Sequence, residues 1–268
     1  MTDMPIIRDV VQSTDSACAA NGTPLKKFGA MLMADPALRK SGPPYLLAGL
    51  TEAQAETVRA AGWRQVVQRG VRLFSQGARQ NGIYLIESGR IKVFYTAPSG
   101  RQITLAYWHP GNFVGGPEVF RRGVHMWSGA ASANSTVLHL PGDDLRRLVT
   151  EIPALAMNVM EGLIFKGKCY SALAQMLGTR SVSEKLAHLM LHLVDLYGVE
   201  EEDGIMIAAP FTHADLAHMT GVTRQGVSAT LKQLADRGAI TVRDTHIIVC
   251  DSKALASMRD GTRSASTP

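Results

Sequence analysis

Residues 212–236 read THADLAHMTGVTRQGVSATLKQLAD, and this stretch decides the fold of the C-terminal part of the chain. Thr212 is a typical N-cap residue before a short helical pattern, Gly221 ends that pattern, and Thr223 caps a second helix. Two helices of about two and three turns, joined by a short turn that contains glycine, form a helix-turn-helix motif. The motif predicts that the second helix lies in the major groove of double-stranded DNA.

The exposed side of the second helix is expected to make the DNA contacts. Arginine pairs bidentately with guanine and glutamine with adenine, whereas threonine and lysine suit phosphates. Downstream, two β-rich runs flank Arg243-Asp244-Thr245, which predicts a hairpin wing beside the helices. The predicted DNA-binding residues are Thr212, His213, Thr223, Arg224, Gln225, Ser228, Lys232 and Arg243.

The segment before the motif is predicted as a helix, an acidic loop over Val199–Gly204 and a short strand over Ile205–Ala208. His188 and His192 are four residues apart on the helix, a spacing that suits a metal ion. They lie off its leucine face, however, so we expect them on the solvated side and predict no metal site.

A long helical pattern runs from Pro153 to about Gly178. Every third or fourth residue forms a heptad stripe about three heptads long, and Gly167 and Ala174 would let two helices approach closely. Periodicity alone equally allows a helix that packs on its own domain. The predicted dimerisation residues are Ala156, Met160, Leu163, Gly167, Tyr170, Ala174 and Leu177.

From Trp63 to about Leu140 the pattern changes to short alternating runs separated by glycines, which predicts an all-β barrel or roll. A capping box, Thr51 to Gln54, starts a helix just before it. Residues 1–46 mix small, polar and proline residues, and they are predicted as a poorly ordered arm with one short helix, Leu25–Met33.

The composition bounds the class of protein. With 268 residues, 46% hydrophobic and 19% charged, the chain suits two soluble domains. A net charge of +5 favours an anionic partner such as nucleic acid. Three distant cysteines indicate neither disulfides nor a zinc site, and neither a secretory signal nor a membrane span is recognised, so a cytoplasmic protein is expected. Common hydrolase and nucleotide-binding motifs are missing, which favours a protein that is not an enzyme.

Over roughly residues 47–258 the sequence resembles transcription regulators of the Crp–Fnr superfamily, the cyclic-AMP receptor protein and its relatives. The stretches that carry the resemblance are Ser75-Gln76-Gly77, GIYLIESG at 82–89, Pro110–Gly115, the helix from Pro153, the Gly221–Arg224 turn and the wing. The resemblance implies an α+β fold with an N-terminal cyclic-nucleotide-binding-type β-roll, a long dimerisation helix and a C-terminal winged helix-turn-helix. The expected divisions are an arm at 1–46, the roll at 47–152, the dimerisation helix at 153–178, the DNA-binding domain at 179–258 and a tail at 259–268.

The resemblance also implies partners. A homodimer would present two recognition helices to a palindromic operator, about one DNA turn apart. An activator of this kind would also contact RNA polymerase.

The family's known effector motifs are absent or changed. Cyclic-AMP binders resemble one another in a Gly-Glu pair followed ten residues later by Arg-Ser, but here Gly116 replaces the Glu and Met126-Trp127 replaces the Arg-Ser. A slipped register that recruits Glu118 with Arg121 or Arg122 stays open. Iron–sulfur members carry an N-terminal cysteine group where this chain has Cys18 alone, and a haem member would need His109 or His125 as axial ligand.

Aromatic and apolar residues replace the phosphate site, which favours a small apolar or aromatic effector between roll and long helix. Tyr170 and Ser171 match the two helix positions that reach the nucleotide in cyclic-AMP binders. A nearly equal alternative is that the aromatic rings simply fill the roll. No cofactor is assigned; the other open functions are a cyclic-nucleotide- or haem-dependent regulator, a ligand-free and constitutively active regulator, and a regulatory module of an enzyme. The predicted effector-binding residues are Tyr95, Trp108, Phe113, Gly115, Gly116, Met126, Trp127, Tyr170 and Ser171.

Overall fold

The computed structural model describes residues 44–120, 122–243 and 246–261. The predicted helix Leu25–Met33 and Cys18 lie outside the described residues. The helices are α1 (Glu52–Ala60), α2 (Gly142–Glu151), α3 (Pro153–Thr179), α4 (Val182–Tyr197), α5 (His213–Thr220), α6 (Arg224–Asp236) and α7 (Ser252–Arg259). The first ten strands are β1 (Trp63–Val67), β2 (Arg72–Phe74), β3 (Arg79–Asn81), β4 (Ile83–Ser88), β5 (Ile91–Thr96), β6 (Gln102–Trp108), β7 (Phe113–Gly115), β8 (Arg122–Val124), β9 (Ser128–Ala131) and β10 (Ser135–Leu140). The other four are β11 (Gly198–Glu201), β12 (Gly204–Ile207), β13 (Ile240–Arg243) and β14 (His246–Val249).

The first ten strands form the predicted β-roll. One antiparallel sheet has the order β1-β10-β4-β7, a second has the order β2-β9-β5-β6, and β3 pairs with β8. Ile91 and Val93 of β5 point inward and are fully buried, as alternation along a strand requires. Gly82 fixes the turn before β4, because it has φ +84° and a Cβ there would overlap the carbonyl oxygen of Leu140.

Helices close the roll. The capping box predicted at Thr51 and Gln54 is present at the start of α1. Val58 of α1, Leu148 of α2 and Leu155 of α3 are completely buried in one apolar cluster with residues of β4 and β10. Because burial of such a side chain contributes about 1.5–3 kcal/mol, this cluster anchors the start of α3 on the sheet.

Helix α3 has the predicted extent, with Pro153 in its first turn, where proline is tolerated. One side of the helix packs on its own chain through Leu155, Val159, Gly162, Cys169, Leu173 and Met176. Gly162 allows the closest approach, since a Cβ there would lie 2.6 Å from the Phe113 ring. The helix therefore joins the roll to the C-terminal domain along its whole length.

The C-terminal domain has a four-stranded sheet of order β11-β12-β14-β13 beside the helices α4, α5 and α6. The prediction of a loop over Val199–Gly204 was wrong, because β11 occupies its first half and pairs with β12 from Gly198 to Glu201. β11 is an edge strand with exposed acidic side chains, so its sequence shows charge rather than apolar alternation.

The prediction that His188 and His192 face solvent was also wrong. Both side chains are more than nine-tenths buried. Helix α7 packs on α4, a contact that periodicity within α4 alone does not reveal. The two histidines thus belong to the interior of the C-terminal domain.

The two domains meet in an interdomain seam formed by β6, α4 and α5. Tyr107 of β6 is buried in the same apolar cluster as the helices of the C-terminal domain. Arg90 donates a hydrogen bond to the Tyr197 hydroxyl at 3.2 Å, and its guanidinium lies 5.5 Å from the centre of the Tyr107 ring. Helix α5 packs directly against β6, so the helix-turn-helix contacts the β-roll.

Candidate functional site

The helix-turn-helix is built by the local signals that predicted it. Thr212 and Asp215 form a capping box at the start of α5, and Gly221 ends α5 in the left-handed conformation at φ +64°. The Thr223 hydroxyl accepts a hydrogen bond from the Gly226 amide and caps α6. Leu216 of α5 and Val227 of α6 are fully buried, which holds the two helices in one arrangement.

The opposite face of α6 is open to solvent. Thr223, Arg224, Gln225 and Lys232 are all exposed at the start and in the first two to three turns of α6. The first turn of α6 contains no acidic residue, so the positive end of the helix dipole is available to a phosphate. This face has the side chains and the charge that a DNA groove requires.

Ser228 and His213 contact each other across the motif. The Ser228 Oγ lies 2.7 Å from the His213 Nδ1, and the Ser228 hydroxyl donates its hydrogen bond to the Arg224 carbonyl at 3.1 Å. The pair therefore connects the start of α5 to the second turn of α6.

Arg243 stands at the end of β13, before the wing turn at residues 244–245, which the structure does not describe. Its guanidinium forms ion pairs with Glu201 at 3.1 Å and with Asp203 at 2.7 Å. The acidic β11–β12 hairpin thus holds the cation that was predicted to contact DNA.

We expect that removing the two carboxylates that pair with Arg243 strengthens DNA binding. In the double variant Glu201→Gln/Asp203→Asn, Arg243 is released toward phosphate. Because each added phosphate contact steepens the dependence of log K on log salt by about 0.9, we expect a slope steeper by about one unit and several-fold tighter binding at low salt. Fluorescence anisotropy with a DNA duplex over a salt series measures both quantities.

The matched control is Glu200→Gln/Glu202→Gln, which removes the same charge at two exposed positions of the same hairpin. Equal gains in the two double variants would show that general charge, not Arg243, sets the affinity.

A second cluster lies where the roll meets α3. Phe113 packs on Gly162, the Trp108 and Phe165 rings are 6.4 Å apart, and the Trp127 and Tyr170 rings are 5.5 Å apart. Burial raises the pKa of Tyr170, so its phenol stays protonated. Four of the predicted effector-binding side chains, Trp108, Phe113, Trp127 and Tyr170, are therefore brought to this junction.

Lys166 occupies the same junction, and the sequence interpretation missed it. Its ammonium nitrogen lies 4.1 Å from the centre of the Trp108 ring and 3.8 Å from the centre of the Phe113 ring. Burial lowers the pKa of Lys166 to about 7, against a weaker opposing influence of Cys169. The available signal was the position of Lys166, one helical turn before Tyr170 and therefore on the same side of α3.

Three predicted effector-binding residues lie elsewhere. A β-bulge between Val93 and Phe94 reverses the alternation of β5, so Phe94 is buried and Tyr95 is exposed; Met126 is exposed beside Trp127. Ser171 is exposed on the free side of α3. The structure does not bring these three side chains into the aromatic cluster.

Gly115 and Gly116 border the cluster through their backbone. The Gly115 carbonyl accepts a hydrogen bond from Trp127 Nε1 at 2.9 Å, which turns that ring inward. A Cβ on Gly116 would overlap the buried side chain of Gln80. Glu118, which the slipped cyclic-nucleotide register would need inside, is exposed, and Arg121 lies outside the described residues.

The histidines considered as haem ligands sit in different surroundings. Burial lowers the pKa of His109 to about 4, and the His125 ring stacks on Phe74 with 4.3 Å between centres. Within the described part of the chain, three or more His, Cys, Asp or Glu residues are nowhere grouped to hold a metal ion.

The exposed stripe of α3 is rotated from the predicted one. Of the predicted dimerisation residues, Met160, Gly167 and Ala174 are exposed, whereas Ala156, Leu163, Tyr170 and Leu177 are partly buried against their own chain. The exposed residues that complete the heptad pattern are Met157, Ile164, Ser171 and Gly178. This difference in exposure arises because the roll and the C-terminal domain cover one side of the helix and leave exposed a stripe about one residue further round.

This stripe is apolar at its N-terminal end, where Met157, Met160 and Ile164 are 53%, 48% and 57% exposed. Three large apolar side chains with half their surface in water, in heptad register, are typical of a helix pair. Small residues continue the stripe toward the C-terminal domain.

Comparison with known proteins identifies both domains. Residues 64–151 match the cyclic nucleotide-binding domain, and residues 184–258 match the Crp-like helix-turn-helix domain. None of the helices in the described ranges is long and apolar enough to cross a bilayer.

Curated relatives cover most of the chain. The CRP-like cAMP-activated global transcriptional regulator of Mycobacterium tuberculosis is 25% identical over 189 residues, 70% of this chain and 84% of the relative. The cyclic AMP receptor protein of Thermus thermophilus is 24% identical over 216 residues, 81% of this chain and 97% of the relative. The names of these relatives are those of transcription regulators, not enzymes.

Solved structures share the fold. A c-di-GMP responsive global regulator, CLP of Xanthomonas campestris, superposes with a TM-score of 0.68 at 16% identity, covering 75% of this chain and all of that one. A Crp/Fnr-family regulator from Eubacterium rectale gives 0.64 at 17% identity, covering 80% and 97%. With a cyclic nucleotide-binding domain, a long helix and a Crp-like helix-turn-helix in this order, the chain belongs to the Crp–Fnr superfamily of DNA-binding transcription regulators.

Proposed function

We propose that the protein is a homodimeric regulator that binds a palindromic operator through α6 of each protomer and is controlled by a small effector between the β-roll and α3. The observation that carries the proposal is the free polar face of α6 on the same chain as the free heptad stripe of α3. A symmetric pair of α3 helices would place two identical recognition helices on one duplex, as a palindromic operator requires.

The expected division of labour follows the boundaries proposed above: roll at 47–152, dimerisation helix at 153–178 and DNA-binding domain at 179–258. The dimer contacts are Met157, Met160, Ile164, Gly167, Ser171, Ala174 and Gly178, which replace the predicted register. If it activates transcription, the dimer also contacts RNA polymerase. Its place of action is the cytoplasm, where the operator is.

The effector controls the regulator by a population shift. A ligand at the junction touches both the roll and α3, so it favours one arrangement of α3 and of the C-terminal domain that α3 carries. The aromatic rings of Trp108, Phe113, Trp127 and Tyr170 suit an effector with an apolar or aromatic body. Trp108, Phe113, Trp127 and Tyr170 remain the proposed effector contacts.

Arg224→Ala tests the recognition helix. We expect a loss of about 1–3 kcal/mol in binding a selected operator, together with relaxed preference at one base pair per half-site, because a bidentate arginine reads one base. The operator is first selected from a random duplex pool, and binding is then measured by anisotropy at a stated salt concentration.

Arg237→Ala is the control for Arg224→Ala. Arg237 is also exposed but stands at the C-terminal end of α6, so its loss removes the same charge at a distance from the proposed DNA contacts. If Arg224→Ala keeps the affinity and base preference of the wild type, α6 does not read DNA.

A cyclic-nucleotide effector is the second candidate, since two relatives are named for activation by cyclic AMP or as its receptor. The exposed position of Glu118 and the Gly116 and Met126-Trp127 replacements argue against it. Titration of the wild-type protein with cyclic AMP by calorimetry decides between the two candidates.

A further inference from the structure

The junction between roll and α3 contains a basic side chain without a negative partner among the described residues. Lys166 places its ammonium between the rings of Trp108 and Phe113, at 4.1 and 3.8 Å from their centres. No carboxylate in the described ranges forms an ion pair with it. Lys166 is partly buried, and aromatic faces attract a cation, but they replace only part of the hydration that such a side chain loses.

A second donor at the junction has no acceptor among the described residues. Trp108 is 1% exposed, and its Nε1 has no hydrogen-bond partner in the part of the chain that the structure describes. The neighbouring Trp127 shows the usual arrangement, because its Nε1 donates to the Gly115 carbonyl at 2.9 Å. Buried indole N–H groups normally find an acceptor, so the free Nε1 of Trp108 marks a place for one.

The two groups share a chemical demand. Both the Lys166 ammonium and the Trp108 Nε1 are donors without any acceptor capacity, and both belong to the wall of one cluster. A neutral apolar ligand would leave both unpaired, whereas an oxyanion would accept from both and neutralise the charge. The same reasoning accounts for a lysine in an otherwise aromatic wall.

We propose that the effector is an organic oxyanion whose charged group binds Lys166 and Trp108 Nε1. Its apolar body packs against Phe113, Trp127 and Tyr170. This inference rests on the proposed function. The lowered pKa of Lys166 supports this, since an anion beside it restores the charged form. A carboxylate and a cyclic-nucleotide phosphate are two sources of such an oxyanion.

Paired ligands test the charge directly. The melting temperature of the full-length protein is measured with benzoate, phenylacetate and hexanoate, with the matching primary amides, and with cyclic AMP and cyclic GMP. We expect at least one acid or cyclic nucleotide to raise the melting temperature, and an acid to bind at least tenfold more tightly than its amide.

Two variants locate the effect. Lys166→Met keeps the length of the side chain but removes the charge, and it should lose the ligand-induced shift. It should also raise the melting temperature of the ligand-free protein, because a binding residue held without its ligand is costly. Lys168→Met removes the same charge from the exposed side of α3 and should leave both properties unchanged.

Each remaining outcome overturns the proposal. An amide that binds as tightly as its acid shows a neutral effector, and a shift retained in Lys166→Met shows another site. A lower melting temperature of ligand-free Lys166→Met shows a purely structural lysine, and no shift with any probe shows that the junction does not take an oxyanion. DNA binding of the same preparations is measured separately. If the wild-type protein does not bind an operator, that result counts against the proposed function and not against the oxyanion site.

Discussion

Replacement of Ile164 by glutamate should convert the dimer to a monomer and lower operator affinity by a hundredfold or more. Ile164 is 57% exposed on the apolar part of the α3 stripe, where the two-fold axis of the proposed dimer would bring it against its own copy. Two like charges then face each other in an apolar interface, at a cost of several kcal/mol. Light scattering after size exclusion gives the mass, and anisotropy gives the affinity.

Gln175→Glu is the control for Ile164→Glu. Gln175 is exposed on the same helix but flanks the stripe, so water solvates the added charge and the dimer should persist. A dimeric Ile164→Glu protein would mean that α3 pairs through another face, or that the chain dimerises elsewhere.

The stability of the protein should depend on pH through Lys166. Its pKa is about 7 in the folded chain and near 10.5 in the unfolded one, so between these values the unfolded state binds more protons. Stability therefore rises with pH across this window, and the cost of burying the charge is fully present only below pH 7. The aromatic partners from β6 and β7 are uncharged, and the titratable group that influences Lys166 is the Cys169 thiol, whose pKa is raised to about 12.

Urea unfolding at pH 6.5, 7.5, 8.5 and 9.5 measures this dependence as a difference from Lys166→Met. The variant should be the more stable protein at pH 6.5, and its advantage should shrink by about 2–3 kcal/mol by pH 9.5, at 1.36 kcal/mol per pKa unit. The difference cancels the titration of all other groups. A constant difference across the series would show that Lys166 keeps an ordinary pKa, and Lys168→Met serves as the variant without pH dependence.

The parts of the fold that could be predicted depend on neighbours in sequence. The caps Thr212 and Thr223 and the turn at Gly221 act within a few residues, so the helix-turn-helix was predicted with its ends. The extent of α3 followed from Pro153 and a continuous helical pattern for the same reason.

The parts that could not be predicted depend on contacts distant in sequence. Which side of α3 stays free depends on how the roll and the C-terminal domain cover it, and a heptad pattern one residue away looks equally good in sequence. Lys166 meets Trp108 and Phe113 only through the fold, and Arg243 meets Glu201 only through the sheet order. For these residues, the side-chain type is known from the sequence, but the residue that it contacts is known only from the fold.

The interdomain seam has a consequence for engineering. Tyr107 of the roll is buried among residues of the C-terminal domain, so separating the two domains would expose apolar surface on both of them. A chimaera that joins this sensor to the DNA-binding domain of a relative would leave Tyr107 against foreign side chains and lose the Arg90–Tyr197 hydrogen bond. A functional chimaera must therefore exchange the facing residues of β5 and β6 together with the helices of the C-terminal domain.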